Sequence, residues 1–148
     1  MPQRIYAEER TVAASAETVW DIIADLPRYA EWNPWIYHAE GDIRKNSAVT
    51  VSAQFGKQGG TYQHRMIAAE RPSLFHWCDV GWFTVFADGE RIRNITPIDE
   101  THCLYRVELR VTGMAAALAD RFYGDFMRGG LKAESNALKQ RAEQLASR

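Results

Sequence analysis

The chain has 148 residues, 46% of them hydrophobic and 25% charged, and a formal net charge of −1. That balance argues against disorder, and the lack of a basic run that could track a phosphate backbone argues against nucleic acid as a partner. By surface scaling, a domain of this length buries about 68–70% of the surface its unfolded chain exposes, so one domain over residues 1–148 with a real core is expected. The opening MPQRIYAEER lacks the apolar centre of a secretion signal. No apolar run approaches the roughly 20 residues needed to span a bilayer, so no transmembrane segment is expected and a cytoplasmic location is the default.

Residues 5–12 carry β-formers and read as a first strand. Ser15 then offers a side-chain oxygen to cap a helix whose stripe is Val19, Ile22, Ile23 and Leu26, and Pro27 disfavours helical backbone at the residue before it. Residues 28–32 form one more short helical turn, ended by Asn33 and Pro34. A meander of antiparallel strands follows over 37–42, 48–55, 61–70, 74–80, 83–96 and 102–112, with turn residues between them: Lys45–Asn46, Gly56 to Gly60, Arg71–Pro72–Ser73, Gly81, and Pro97 to Glu100. The last strand alternates most clearly. Cys103, Tyr105, Val107, Leu109 and Val111 share one face, and His102, Arg106, Glu108 and Arg110 the other. After Gly113 a long helix is predicted over 114–146, with Leu118, Phe122, Phe126, Leu131, Leu138 and Leu145 at roughly helical spacing and the Leu118, Phe122 and Phe126 side packed on the sheet.

The stretch SAETVWDIIADLPRYAEWNP, with Ala16, Val19, Trp20, Asp25, Trp32 and Pro34, resembles the opening of the START-like superfamily, also called SRPBCC or helix-grip proteins, which includes polyketide cyclases and Bet v 1 type ligand binders. The run Ile95, Thr96, Pro97, Asp99, Glu100 and Thr101 is similar to a second family motif, with Glu100 where a Gly commonly stands. The resemblance covers essentially the whole chain. It implies an α+β helix-grip fold: a curved antiparallel sheet wrapped around a long C-terminal helix, two short helices after the first strand, and a cavity for a hydrophobic ligand between sheet and long helix.

A cavity binder needs apolar walls and a few orienting polar groups. Arg91 and Arg93 alternate with Ile95 on one strand, so an inward Ile95 carries both arginines inward, where a guanidinium fork suits a carboxylate, phenolate or phosphate. The alternative is a bulge that shifts the register, or two arginines that snorkel to solvent. Tyr105 can orient a ligand or simply pack. Phe75 and Trp77 suit an aromatic wall, and Phe122 and Phe126 are expected to face the cavity, completing a candidate ligand site of Phe75, Trp77, Arg91, Arg93, Tyr105, Phe122 and Phe126. Three glycines in FYGDFMRGG each cost about 1 kcal/mol relative to Ala inside a helix, so close packing, a kink or room for a ligand is expected there. Trp82 is placed to gate a pocket mouth or to form an oligomer contact, which leaves a homodimer open.

Cys78 and Cys103 are too few for a disulfide framework and read as buried thiols, and His38, His64, His76 and His102 have no ligand spacing, so neither metal nor cofactor is expected. Three functions remain. One is binding of a small hydrophobic or aromatic molecule; the second is a polyketide cyclase or aromatase type of enzyme, for which His64, Tyr105 and the arginines are the only suppliers of acid–base groups; the third, which the resemblance implies, is an interaction module that uses the same groove for a quinone-linked or protein partner. A His or carboxylate side chain projecting into the cavity favours the enzyme.

Overall fold

The structure is a computed structural model that describes residues 2–55 and 57–148. β1 (Gln3–Val12) leads into α1 (Ala16–Ala24), whose first turn is capped by Ser15: its Oγ accepts the Thr18 N–H at 3.1 Å. Val19, Trp20, Ile22 and Ile23 are buried beneath it. A 3-10 turn (Leu26–Arg28) begins where Pro27 stops the helix, and the single turn α2 (Tyr29–Trp32) follows. The Tyr29 hydroxyl donates back to the Ile23 carbonyl at 2.5 Å, which clamps the two helical pieces together.

The strands β2 (Ile36–Gly41), β3 (Ala48–Phe55), β4 (Gln58–Glu70), β5 (Leu74–Asp79), β6 (Asp88–Asp99) and β7 (His102–Thr112) then come in succession. Among the described residues they join β1 in one seven-stranded antiparallel sheet of order β1-β7-β6-β5-β4-β3-β2. Consecutive strands pair as hairpins, and the first strand returns beside the last. Register shifts at Ile36/His38, Met66/Ala68 and Pro97/Asp99 add local twist, which helps the sheet to curve. The alternation of β7 holds: Cys103, Tyr105, Val107 and Val111 are buried, while Glu108 on the outer face bridges Arg106 and Arg110 at 3.0 Å each.

Two expectations need correction. The strand expected over 83–96 starts only at Asp88, because Trp82–Val85 forms a 3-10 turn after Gly81, whose φ of 146° reverses the chain and whose carbonyl accepts from the Thr84 hydroxyl at 2.7 Å. The aromatic run there is a protruding loop: Trp82 is 80% exposed and Phe86 53%.

The second correction concerns α3 (Ala116–Ala146), which begins two residues later than expected and turns a different face to the sheet. Leu118, Phe122 and Phe126 are exposed, and Ala116, Gly124, Met127, Leu131, Glu134, Ser135, Leu138 and Ala142 are buried. Two polar anchors set this rotation. Asp120 accepts from the Tyr6 hydroxyl of β1 at 2.5 Å, and Glu134 accepts from Arg93 of β6 at 2.8 Å. Fourteen helical residues bring a position back to within about 40° of its starting azimuth, so both anchors lie on one face; Phe122 sits about 200° from Asp120, on the far side.

Candidate functional site

The arginine parity follows from the regular stretch of β6 before Pro97. Its pairing is regular with β7 from Asp88 to Pro97 and with β5 from Glu90 to Asn94, so Arg91, Arg93 and Ile95 stay on the inner face; the register shift comes only after Pro97, and neither arginine snorkels to solvent. Arg93 is 1% exposed and Arg91 8%. Two guanidiniums at that depth require a counter-ion, and α3 supplies one, Glu134, itself fully buried. Glu134 Oε1 accepts from Arg93 Nη2 at 2.8 Å, while its Oε2 accepts from the Asn33 amide at 2.8 Å and from Arg91 Nη1 at a longer 3.4 Å. Asn33 completes the joint, because its Oδ1 takes the backbone N–H groups of Trp35 and Ile36 at 2.9 and 2.8 Å.

Burial is the strongest influence on Glu134 and pushes its pKa up, but Arg93, Arg91 and the Asn33 hydrogen bond together outweigh it and hold the carboxyl below its ordinary value. Arg91 is the less compensated cation. Burial lowers its pKa most, and repulsion from Arg93 adds to that against the attraction of Glu134. Its guanidinium carbon lies 4.5 Å from the centre of the Trp35 ring and 5.9 Å from that of Trp77, a stacking that suits a planar cation. Two positive side chains share one carboxylate, so the cluster keeps a net positive charge. Arg91 Nε, Arg93 Nε and Nη1, and the Tyr105 hydroxyl have no hydrogen-bond partner among the described residues. Burial pushes the Tyr105 hydroxyl up to about 12, so it stays protonated at neutral pH.

The cavity lies between the sheet and the first half of α3. An inner chamber of about 280 Å³ is walled by Ile36, Val51, Trp77, Leu109 and Met127, with Arg91, Glu90, His64, Asp79 and Tyr62 supplying polar groups. An outer chamber of about 410 Å³ shares Tyr62, Asp79, Phe83, Gly89, Val111 and Met127 with it and adds Ala119 and Tyr123 of α3. Its surroundings are apolar and exposed: Trp82 and Phe86 protrude from the loop, and the Phe86 carbonyl accepts the Ala115 N–H at 2.9 Å, which ties that loop to the start of α3.

Of the residues expected to line a ligand site, Trp77 and Arg91 line this cavity. Phe75, Arg93 and Tyr105 are buried behind that wall, with Phe75 packed edge-on against Trp20 and Trp77 at 5.8 and 5.4 Å. Phe122 and Phe126 do not line it: they are 62% and 48% exposed, for the rotational reason given above. Sequence reasoning missed Glu134, although it lies between Leu131 and Leu138 on the apolar series, a signal that a carboxylate points inward. It also missed Asp79, which has the strand parity of Phe75 and Trp77. His64 Nε2 lies 3.0 Å from Asp79 Oδ1, and both line the inner chamber. Cys103, whose pKa burial pushes up to about 11, is a core thiol.

Of the three glycines in α3, Gly130 is explained by close packing, since a Cβ there would run into the Trp35 ring. At Gly124 a Cβ would meet the Asp120 carboxylate at 2.6 Å, while Gly129 faces open space and nothing in the structure explains it. No helix among the described residues is long and apolar enough to cross a membrane.

A sequence model of the family described as "Polyketide cyclase / dehydrase and lipid transport" matches residues 3–148. No curated protein matches the chain. Among solved structures, the chain is similar to the Zhui aromatase/cyclase from Streptomyces sp. R1128, at a TM-score of 0.81 and 16% identity over 97% of this chain and 95% of that one. A START superfamily protein from Mycobacterium smegmatis is 23% identical at a TM-score of 0.74, covering 95% of this chain and 98% of that one. Norcoclaurine synthase from Thalictrum flavum, solved in complex with dopamine and hydroxybenzaldehyde, is 14% identical at a TM-score of 0.71 over 94% of this chain and 86% of that one. At these identities the structural likenesses establish the helix-grip fold.

Proposed function

Because the chain belongs to the polyketide cyclase/dehydrase and lipid transport family, we propose that it binds a small hydrophobic or aromatic molecule between the curved sheet and α3, with an anionic or carbonyl oxygen of that molecule turned toward Arg91. The observation that carries this reading is the charge imbalance: two buried guanidiniums share one carboxylate, and the more weakly paired of them lines the cavity. A ligand oxyanion at Arg91 would supply the second negative charge and use donors that the protein leaves free. The apolar walls provide most of the affinity, and Trp35 and Trp77 keep the guanidinium plane in place. Titration calorimetry with 2-naphthoate and naphthalene tests it. The carboxylate should bind about tenfold more tightly than the hydrocarbon, and Arg91→Met should erase that difference. Failure of both compounds to bind would count against a ligand site here.

A second reading, an aromatase/cyclase type of enzyme acting in the same cavity, is favoured by the carboxylate and imidazole that project into it. Asp79 would take a proton from carbon next to a carbonyl whose oxygen rests on Arg91, and the electron pair would move onto that oxygen. Deuterium exchange at the methyl group of 2-acetylnaphthalene, followed by NMR, distinguishes the two. Exchange above the buffer rate that is lost in Asp79→Asn supports an enzyme; exchange at the buffer rate supports a binder.

A further inference from the structure

Asp79 ends β5 and is held from both sides. Its Oδ2 accepts the Gly89 N–H of β6 at 3.1 Å, and its Oδ1 lies 3.0 Å from His64 Nε2 of β4. Gly89 makes this possible, because a Cβ there would stand 2.5 Å from Oδ2 and push the carboxylate off the strand. His64 is fixed in turn by its ring contact with Trp77, 5.3 Å between centres. Its Nδ1 is buried and without a partner among the described residues, so Nε2 is the ring nitrogen that donates to Asp79. An ionised carboxylate offers about four lone-pair directions, and these two donors occupy two.

The Asp79 side chain is 28% exposed and lines both chambers, whereas Arg91 lines only the inner one. Trp77 is the cross-strand partner of Arg91 and stands two positions before Asp79 on β5, with the His64 ring 5.3 Å and the Arg91 guanidinium carbon 5.9 Å from the centre of its own ring. The cavity therefore has a donor-only cation in its inner chamber, an aromatic wall, and an acceptor carboxylate, Asp79, where the chambers join; Glu90, the other lining carboxylate, belongs to the inner chamber alone. We propose that Asp79 is a second polar anchor, so that the preferred ligand is an elongated, mostly apolar molecule with an oxyanion or carbonyl at the Arg91 end and a hydrogen-bond donor, a hydroxyl or an ammonium, at the Asp79 end.

This inference rests on the reading of the cavity as a ligand site, and the test separates the two. Wild-type protein is titrated with 2-naphthoate, 6-hydroxy-2-naphthoate, 6-methoxy-2-naphthoate and 6-(aminomethyl)-2-naphthoate. The hydroxyl compound should bind about tenfold more tightly than 2-naphthoate, whereas the methoxy compound, which only accepts, should gain nothing. The aminomethyl compound tells whether the donor is preferred as an ammonium. In Asp79→Asn the advantage of the hydroxyl compound over 2-naphthoate should fall below about threefold. If none of the four compounds binds, the ligand-site reading fails. If 2-naphthoate binds but hydroxyl and methoxy compounds are equal in the wild type, the second anchor is overturned without any variant. Loss of the hydroxyl advantage in Arg91→Met, with Asp79→Asn unaffected, would overturn it as well.

Discussion

The two halves of α3 differ in what they do with one amphipathic helix. From Leu131 onward the helix presses on the core: Leu131, Glu134, Ser135, Leu138 and Ala142 are all buried. Before Gly124 it meets the sheet more sparsely: Ala116 is buried and Asp120 is bonded to Tyr6, but Leu118, Phe122 and Tyr123 are more than half exposed, and Ala119 and Tyr123 form a cavity wall instead of a core layer. A helix packed tightly along its whole length would leave no room for a ligand, and one packed nowhere would not hold the sheet. Here the C-terminal half supplies the stability and the N-terminal half the space, and Glu134 sits near their boundary with the charge that the site requires.

Glu134→Ala is expected to have the largest effect. It strands Arg91 and Arg93 in the interior and leaves the Asn33 amide without its acceptor, a situation that costs about 3–5 kcal/mol when one partner of a buried ion pair is removed. Urea denaturation at pH 7 measures it, and a loss below about 1 kcal/mol would show that the guanidiniums do not depend on this carboxylate. The pH dependence has a definite sign. The pKa of Glu134 is lowered in the folded state, so its contribution is present above the unfolded value near ~4.3 and is lost as pH falls through the folded one. The wild type should therefore lose stability on acidification more steeply than Glu134→Gln.

Much of this arrangement is legible in the sequence, for identifiable reasons. The Ser15 cap, the Pro27 stop and the alternation of β7 are local signals, set by neighbours within a few residues, and the structure keeps all three. Arginine parity is local too, because a strand without a bulge fixes which side chains share a face. The rotation of α3 is not local. Its apolar residues are spread widely enough around the axis that more than one face could be buried, and the choice falls to Tyr6 and Arg93, more than forty positions away in the chain. Asp79 was hidden for a similar reason: its partners, His64 and Gly89, come from the strands on either side.

Truncating one side chain in each half of α3 sharpens the contrast. Leu138→Ala removes a fully buried side chain and should cost about 2–5 kcal/mol, whereas Phe122→Ala, at a position 62% exposed, should stay within about 0.5 kcal/mol. Denaturant midpoints of the two variants provide the comparison. Equal losses would place Phe122 against the sheet and restore the rotation that periodicity suggested.

Adjacent glycines give the finest test of where the helix comes close. Gly129→Ala adds a methyl where nothing lies within 4 Å, so the better helix propensity of Ala should stabilise the protein by up to about 1 kcal/mol. Gly130→Ala adds the same methyl against the Trp35 ring, and overpacking of this kind costs about 1–3 kcal/mol. Trp35 is also held by the bond from its Nε1 to the Gln54 carbonyl at 2.9 Å and stacks on Arg91, so it cannot yield without disturbing the cation of the inner chamber. Opposite signs from two neighbouring positions, read as shifts in melting temperature, would locate the close contact to one residue. A Gly130→Ala variant that also binds 2-naphthoate more weakly would connect that contact to Arg91, whereas stabilisation by both substitutions would mean that the helix does not approach Trp35 as closely as the structure places it.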